Sequence, residues 1–392
     1  MAPVQQQKTL VKALPASTQL LRIAQIAPLY ENVPPKLYGG TERIVSYLSE
    51  ELVKRGHKVT LYAAGDSTAK VPLAAGSPQS LRLTGLDHLG PMFHLPMLSN
   101  VYDRAHDFDI IHSHVDCLSF PLARLSKVPT LSTMHGRLDL PELLPVYRSY
   151  CDLLLVSISN HQRAPLPEMN WTATVYHGLP RNLFEFRRGT GGYLAFLGRI
   201  SPEKRPDLAI EIARRSGIPL KIAAKIDRVN HSYFLEVIKP RLSEPGIEFI
   251  GEIGEADKQE FLGEALALLF PVDWPEPFGL VMIEALACGT PVIARPCGSV
   301  PEILRHGATG LIGSSVDELT AAVDRIGEIS REACRKEFDT RFTAEVMAAN
   351  YERVYCRLAE GSTTVSKTSR PQARATLRLH PGSHRGVDIR PS

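Results

Sequence analysis

Long apolar runs are missing from this 392-residue chain. Its most apolar stretch, Leu280 to Ala294, is interrupted by Glu284, so nothing reaches the ~18 uncharged residues of a spanning helix. The first 20 residues contain no continuous apolar core, which argues against a signal peptide. Cysteine is sparse. The six present (117, 151, 288, 297, 334 and 356) form no C-x-x-C pair and show no metal-ligand spacing, which fits a reduced, cytoplasmic setting. No G-x-G-x-x-G follows the first strand signal, Leu21–Ala27, and this disfavours a dehydrogenase. Excess charge is also small, a net +3. Six Lys/Arg against one Asp in residues 361–392 account for it, leaving the rest slightly acidic. A basic face for nucleic acid is therefore not expected.

Alternation of strand and helix signals is what the chain has in abundance. After Leu21–Ala27 and a Pro-rich loop, Thr41 is placed to cap a helix in which Ile44, Leu48 and Leu52 recur every four residues, ended by Gly56. Val59–Ala63 follows as a strand, completing a βαβ unit with parallel pairing. Further strands are expected near Asp109–His112, Pro129–Met134, Leu153–Ser157 and Ala173–Tyr176. Charge and glycine interrupt the pattern at Phe184–Gly192, the expected linker. A second series then places strands at Tyr193–Leu197, Leu220–Ala224, Ile247–Ile250, Ala267–Phe270 and Pro291–Ala294. Helices fall between them at Pro206–Arg215 and Leu280–Ala287, and a closing helix runs over roughly Thr343–Leu358. The expected fold class is α/β, with two doubly wound domains facing across a ligand-binding cleft.

The stretch Trp274 to Glu284 (WPEPFGLVMIE) sets Glu276 and Glu284 eight positions apart around a turn at Pro277 and Gly279. The free backbone N–H groups of Gly279, Leu280 and Val281 make that helix start an anion site. A chance acidic cap is the bland reading of the same residues. Gly198-Arg-Ile-Ser-Pro-Glu-Lys-Arg205 lies at a strand-to-helix turn, where Arg199 and Lys204 can pair with phosphate. Cations at a helix start are unfavourable without an anion; Arg205 reads as a surface residue. Gly39 and Gly40 precede another helix and allow close backbone approach to a ligand. His135-Gly136 closes a strand on the ligand-bearing rim. His112, His114 and Asp116 share a strand face, but zinc is disfavoured because no third His or Cys has helpful spacing. Asp107-Phe-Asp109 imitates a metal-binding D-x-D and reads as an ordinary loop.

The combination of Glu276-x7-Glu284, GRISPEKR, GGTER (residues 39–43) and MHG (134–136) resembles the family 4 retaining glycosyltransferases, the glycogen synthase-like group 1 glycosyl transferases of the GT-B fold. The resemblance covers roughly residues 21–358. It implies a disordered segment at 1–20, an acceptor-side Rossmann-like domain at 21–187 and a nucleotide-sugar-binding domain at 188–340. A closing helix at 341–360 would pack back on the first domain, with a disordered basic tail at 361–392. By the same resemblance Glu284 holds the nucleotide ribose, Glu276 contacts donor-sugar hydroxyls, and Arg199 and Lys204 neutralise the departing diphosphate. His135 lies beside the transferred sugar. Catalytic residues are thus His135, Arg199, Lys204 and Glu276. Gly39, Gly40, Lys225, Ile250, Phe278, Gly279, Leu280, Val281 and Glu284 complete the donor site with Arg199, Lys204 and Glu276. The family's usual glycine after Leu220–Ala224 is replaced by Lys225, a further candidate contact.

The function expected is transfer of a sugar from a nucleotide-diphosphate donor, for instance a UDP-sugar, to an acceptor hydroxyl on a glycolipid, polysaccharide or small natural product. No cofactor and no metal is expected, since the nucleotide sugar is itself a substrate. A sugar-nucleotide epimerase of this fold and a non-catalytic nucleotide-binding module are the alternatives. The expected setting is the cytoplasm, with the basic tail as a peripheral anchor to the inner membrane face or simply a solvated end. Neither the donor base nor the oligomeric state leaves a trace in the sequence.

Overall fold

The computed structural model describes residues 19–36, 39–189 and 191–364. The expectations for residues 1–18 and for the tail beyond Thr364 lie outside the described residues.

Among the described residues thirteen strands form two sheets, and every pairing is parallel. In chain order the first sheet uses β1 (Arg22–Ile26), β2 (Lys58–Ala64), β3 (Leu73–Ser77), β4 (Ile110–Ser113), β5 (Thr130–Thr133), β6 (Leu154–Ser157) and β7 (Trp171–Thr174). Its spatial order is β3-β2-β1-β4-β5-β6-β7. The second uses β8 (Leu194–Arg199), β9 (Leu220–Lys225), β10 (Ile247–Gly251), β11 (Ala267–Phe270), β12 (Val292–Ala294) and β13 (Gly310–Ile312), ordered β10-β9-β8-β11-β12-β13. The order reverses beside β1 in one sheet and beside β8 in the other. Such reversals open a crevice at the carboxyl ends of the strands. Continuous apolar runs such as the buried ALLF of β11 are what a sheet covered on both faces requires.

The Gly40–Lys54 helix buries Ile44, Leu48 and Leu52 completely, and Gly56 (φ 95°) ends it in the left-handed region. Its N-cap is Gly39, without a side-chain cap bond. Thr41 therefore sits inside the first turn and is not the cap that its residue type suggested. β3 and β13 carried no strand signal: LAAGS is small and glycine-containing, and GLI is only three residues long. β7 lies two residues earlier than expected, beside a register shift between Leu155 and Val156.

The closing helix, Ala344–Thr364, returns to the first sheet. Glu352 receives Arg55 Nε at 3.0 Å and faces His57 Nε2 at 3.2 Å. Tyr351 and Tyr355 are wholly buried against β4 and β5, and reach Thr133 at 2.9 Å and His112 at 2.7 Å. The helix runs on to Thr364, past the Glu360 boundary placed from sequence.

Candidate functional site

A cleft of about 670 Å³ opens between the two sheets. Its walls take Gly39, Gly40, Arg43 and His135 from the first domain. The second contributes Arg199, Lys204, Lys225, Glu276 and the run Phe278 to Val281 with Glu284. Ile250 stands apart from the other candidates. It is exposed and absent from the cleft wall, where Glu252 and Ile253 appear instead. The bulge that shifts the β10 register between Phe249 and Gly251, with Gly251 at φ 88°, carries the chain past it.

β8 ends at Arg199, and a single tight turn (Pro202–Lys204) leads to the Pro206–Ser216 helix. Arg205 between them adopts φ 55°, in the left-handed region. Asp207 (2.9 Å) and Asp273 (3.2 Å) hold its guanidinium. Arg205 is therefore an anchored hinge of the turn and not a free surface residue. It presents Lys204 to the cleft, where the ammonium pairs with Glu276 and lies 4.8 Å over the Trp274 ring. Trp274 Nε1 also donates to Glu276 at 2.8 Å. Arg199 meets Asp227 at 3.4 Å and Glu203 at 3.6 Å, and Lys225 meets Asp227 at 3.3 Å. Four cations, counting Lys258, thus line one wall, each with a carboxylate partner.

The Glu276 loop depends on Gly298, to which nothing in the sequence pattern drew attention. Gly298 has φ 60°, and a Cβ there would lie 2.3 Å from both the backbone N and O of Glu276. The next residue, Ser299, donates its N–H to Glu276 O at 2.9 Å and its hydroxyl to Phe278 O at 2.8 Å. Gly279 (φ 79°) then starts the Leu280–Cys288 helix, whose first turn faces Gly40 of the opposite domain. Two helix N-termini consequently converge on one cleft, and their unpaired N–H groups favour an anion between them.

Glu284, one turn into that helix, is fully buried. Its Oε1 accepts from Arg43 of the first domain and from Lys258 at 3.0 Å, while Oε2 has no hydrogen-bond partner among the described residues. Burial alone would raise this carboxyl, but Lys258 and Arg43 outweigh it and hold it at about 2. Arg43 also pairs with Glu255 at 3.0 Å, and Glu255 accepts from Tyr47 at 2.6 Å. Neither Arg43 nor Lys258 belonged to the sequence-derived site, although Arg43 closes the GGTER motif.

On the first-domain wall His135 Nε2 meets His114 Nδ1 at 2.8 Å, and its ring stacks on His177 with centroids 5.2 Å apart. Burial lowers His135 to about 3, and it pulls His112, His114 and His177 well below the ordinary histidine value. All four rings are neutral near pH 7. The fold does add His135 and His177 to the pair seen in sequence, yet no set of three or more potential ligands among the described residues could hold a metal ion. Asp116, at φ 52°, lines the cleft and accepts from Tyr147 at 3.3 Å. Asp109 of the D-x-D imitation binds Arg22 at 2.8 Å near the start of β4, outside the cleft wall.

Two parallel-sheet Rossmann-like domains around such a cleft make up the GT-B fold. Residues 38–164 match the model of Glycosyltransferase Family 4, and residues 184–341 match that of Glycosyl transferases group 1. The chain belongs to this family of enzymes. It is similar to phosphatidyl-myo-inositol mannosyltransferase of Mycobacterium leprae, 24% identical over 89% of this chain and 100% of that protein. It is 30% identical to D-inositol 3-phosphate glycosyltransferase of Rhodococcus erythropolis over 47% of this chain, a match spanning just under half (46%) of that relative. The fold of Anabaena Alr3699/HepE, solved in complex with UDP and glucose, superposes with a TM-score of 0.68 at 16% identity, covering 86% of this chain and 100% of that one.

Proposed function

We propose that this glycosyltransferase takes its sugar from a nucleoside diphosphate sugar and transfers it with retention of configuration, without a metal ion. The observation that carries the reading is the placing of Arg199 and Lys204 in one cleft with the start of the Leu280–Cys288 helix. Cationic side chains and helix N–H groups together do for a diphosphate what a divalent ion does in other transferases. Glu284 suits the ribose: Oε1 is pinned by two cations, and the bare Oε2 is left to accept from hydroxyls. Glu276 is held by Lys204 and Trp274 where it can accept from the sugar.

On this reading the glycosidic C–O bond to the diphosphate breaks while the acceptor oxygen approaches the same face. The departing phosphate oxygen takes the acceptor proton. Lys204 and Arg199 stabilise charge that grows on the diphosphate, which is where preorganised electrostatics lowers a barrier most. The solved neighbour's UDP makes uracil the first base to try. A thermal-shift screen of UDP-, GDP- and ADP-sugars in excess chelator identifies the donor, and proton NMR of the product reports its anomeric configuration. Donor-induced stabilisation and a retained anomer are expected; an inverted anomer, or activity restored only by Mg or Mn, contradicts the proposal.

A further inference from the structure

A continuous file of buried polar side chains runs from the closing helix to His135. Tyr351 OH meets Thr133 Oγ1 at 2.9 Å, Thr133 meets His112 Nε2 at 2.7 Å, and Tyr355 OH meets His112 Nδ1 at 2.7 Å. Gln25 Nε2 donates to Tyr355 OH at 3.2 Å, while Gln25 Oε1 faces His114 Nε2 at 2.9 Å. His114 Nδ1 finally meets His135 Nε2 at 2.8 Å. Six of these seven residues are buried, and every link joins residues at least 21 positions apart in sequence.

Proton counting along the file starts from the Gln25 amide, which turns its oxygen to His114 and its nitrogen to Tyr355. An amide oxygen only accepts, so His114 carries its proton on Nε2 and offers Nδ1 as an acceptor. His135 must then donate from Nε2. A neutral imidazole has a single N–H, which leaves His135 Nδ1 as a bare acceptor. That nitrogen is buried and has no hydrogen-bond partner among the described residues, on a ring that lines the cleft. The amide of Gln25 sets the direction of the whole file: its N–H donates to the Tyr355 hydroxyl, the acceptor that keeps its oxygen turned toward His114, and that hydroxyl lies 2.7 Å from His112 Nδ1.

We propose that Gln25 and Tyr355 are positioning residues that hold His135 in its Nε2–H form, so that Nδ1 accepts a hydrogen bond from a hydroxyl of the bound sugar. The contact with sugar rests on the function proposed above; the tautomer does not. If the Gln25 amide reversed, every proton in the file would shift, and His135 would present an N–H to the same hydroxyl. A sugar hydroxyl can meet either form, but only by turning its own proton, so a mixed tautomer misplaces part of the bound donor.

The test uses the full chain labelled with ¹⁵N-histidine, in which long-range nitrogen–carbon-bound-proton correlations distinguish bare from protonated ring nitrogens. The His135 signals are assigned by their loss in His135→Asn. The expected result is a bare Nδ1 in the wild type and a mixture of tautomers in Tyr355→Phe. Turnover in Tyr355→Phe should fall on the order of tenfold, with the KM for donor changed far less. Gln25→Met, which removes both amide contacts, should mix the tautomers too and serves if Tyr355→Phe fails to fold. A proton on His135 Nδ1 in the wild type, or an unmixed tautomer with normal turnover in both variants, overturns the proposal. If the wild type shows the bare Nδ1 and transfers no sugar from any donor, the relay stands and the function proposed above falls.

Discussion

Arg43, four residues past Gly39 on the first domain, forms a buried ion pair with Glu284 on the second, 241 residues away in sequence. Lys258 shares the same carboxylate oxygen at 3.0 Å. The residue proposed to anchor the ribose therefore also ties the two domains together. Neutralising one partner of a buried pair leaves the other charge stranded, at a typical cost of about 3–5 kcal/mol.

Arg43→Met should cost less than that, on the order of 1–3 kcal/mol, because Lys258 still compensates Glu284. Combining Arg43→Met with Lys258→Met should cost more than the two single changes added, since only then is Glu284 alone. Urea denaturation of the three variants checks this. Additive losses would show that the shared carboxylate is not what couples the two cations.

Stability should fall as the medium is acidified. Burial lowers His94, His112, His114, His135 and His177 below 6.5, so these rings are neutral when folded and take up protons when unfolded. The unfolded state then binds more protons below ~6.5, and stability present above that value is lost at up to ~1.4 kcal/mol per pH unit per ring. Glu42, lifted by burial to about 7, and Asp116, also raised by burial, bind protons on folding and offset part of the loss. The urea midpoint should drop between about pH 7.5 and about pH 5.5. A midpoint that rose over this range would mean the histidines are not neutral in the fold.

Gly298→Ala should damage the site more than the fold. The added methyl meets the Glu276 backbone at 2.3 Å and forces φ 60° on a non-glycine residue, so the Glu276 loop must move. Turnover should fall at least tenfold, for a stability loss on the order of 1–3 kcal/mol. Kinetics and a thermal melt on the same preparation separate the two; unchanged turnover would mean that the loop position does not matter.

Strand and helix periodicity was legible wherever the chain is regular and buried. β11 falls on Ala267–Phe270 as read, and the Leu280 helix start is correct. β3 and β13 were invisible because small residues and a three-residue length leave no pattern. The site divides in the same way. Arg199, Lys204, Glu276 and Glu284 lie within two short motifs whose spacing survives in one dimension. Arg43, Lys258, Gly298 and the file from Tyr355 to His135 depend on contacts between distant segments; Tyr355 and His112 are 243 positions apart. Ile250 stands off the cleft wall, past the bulge in β10, while Glu252 and Ile253 just beyond it line the cleft.

The central claim is that the diphosphate of a sugar nucleotide lies at Lys204 and Arg199 beside the Leu280 helix start. Calorimetric titration of UDP, GDP and ADP in excess chelator, into wild type, Lys204→Ala, Arg199→Ala and Glu284→Ala, tests it most directly. The account predicts that the wild type binds at least one of these nucleotides without metal. Either cation variant should weaken that binding by roughly tenfold or more, as loss of a charge-assisted phosphate contact does. Glu284→Ala should weaken the nucleoside and the diphosphate alike, because its contact is to ribose. Binding of the same strength in wild type and both cation variants, or no nucleotide binding at all, would contradict it.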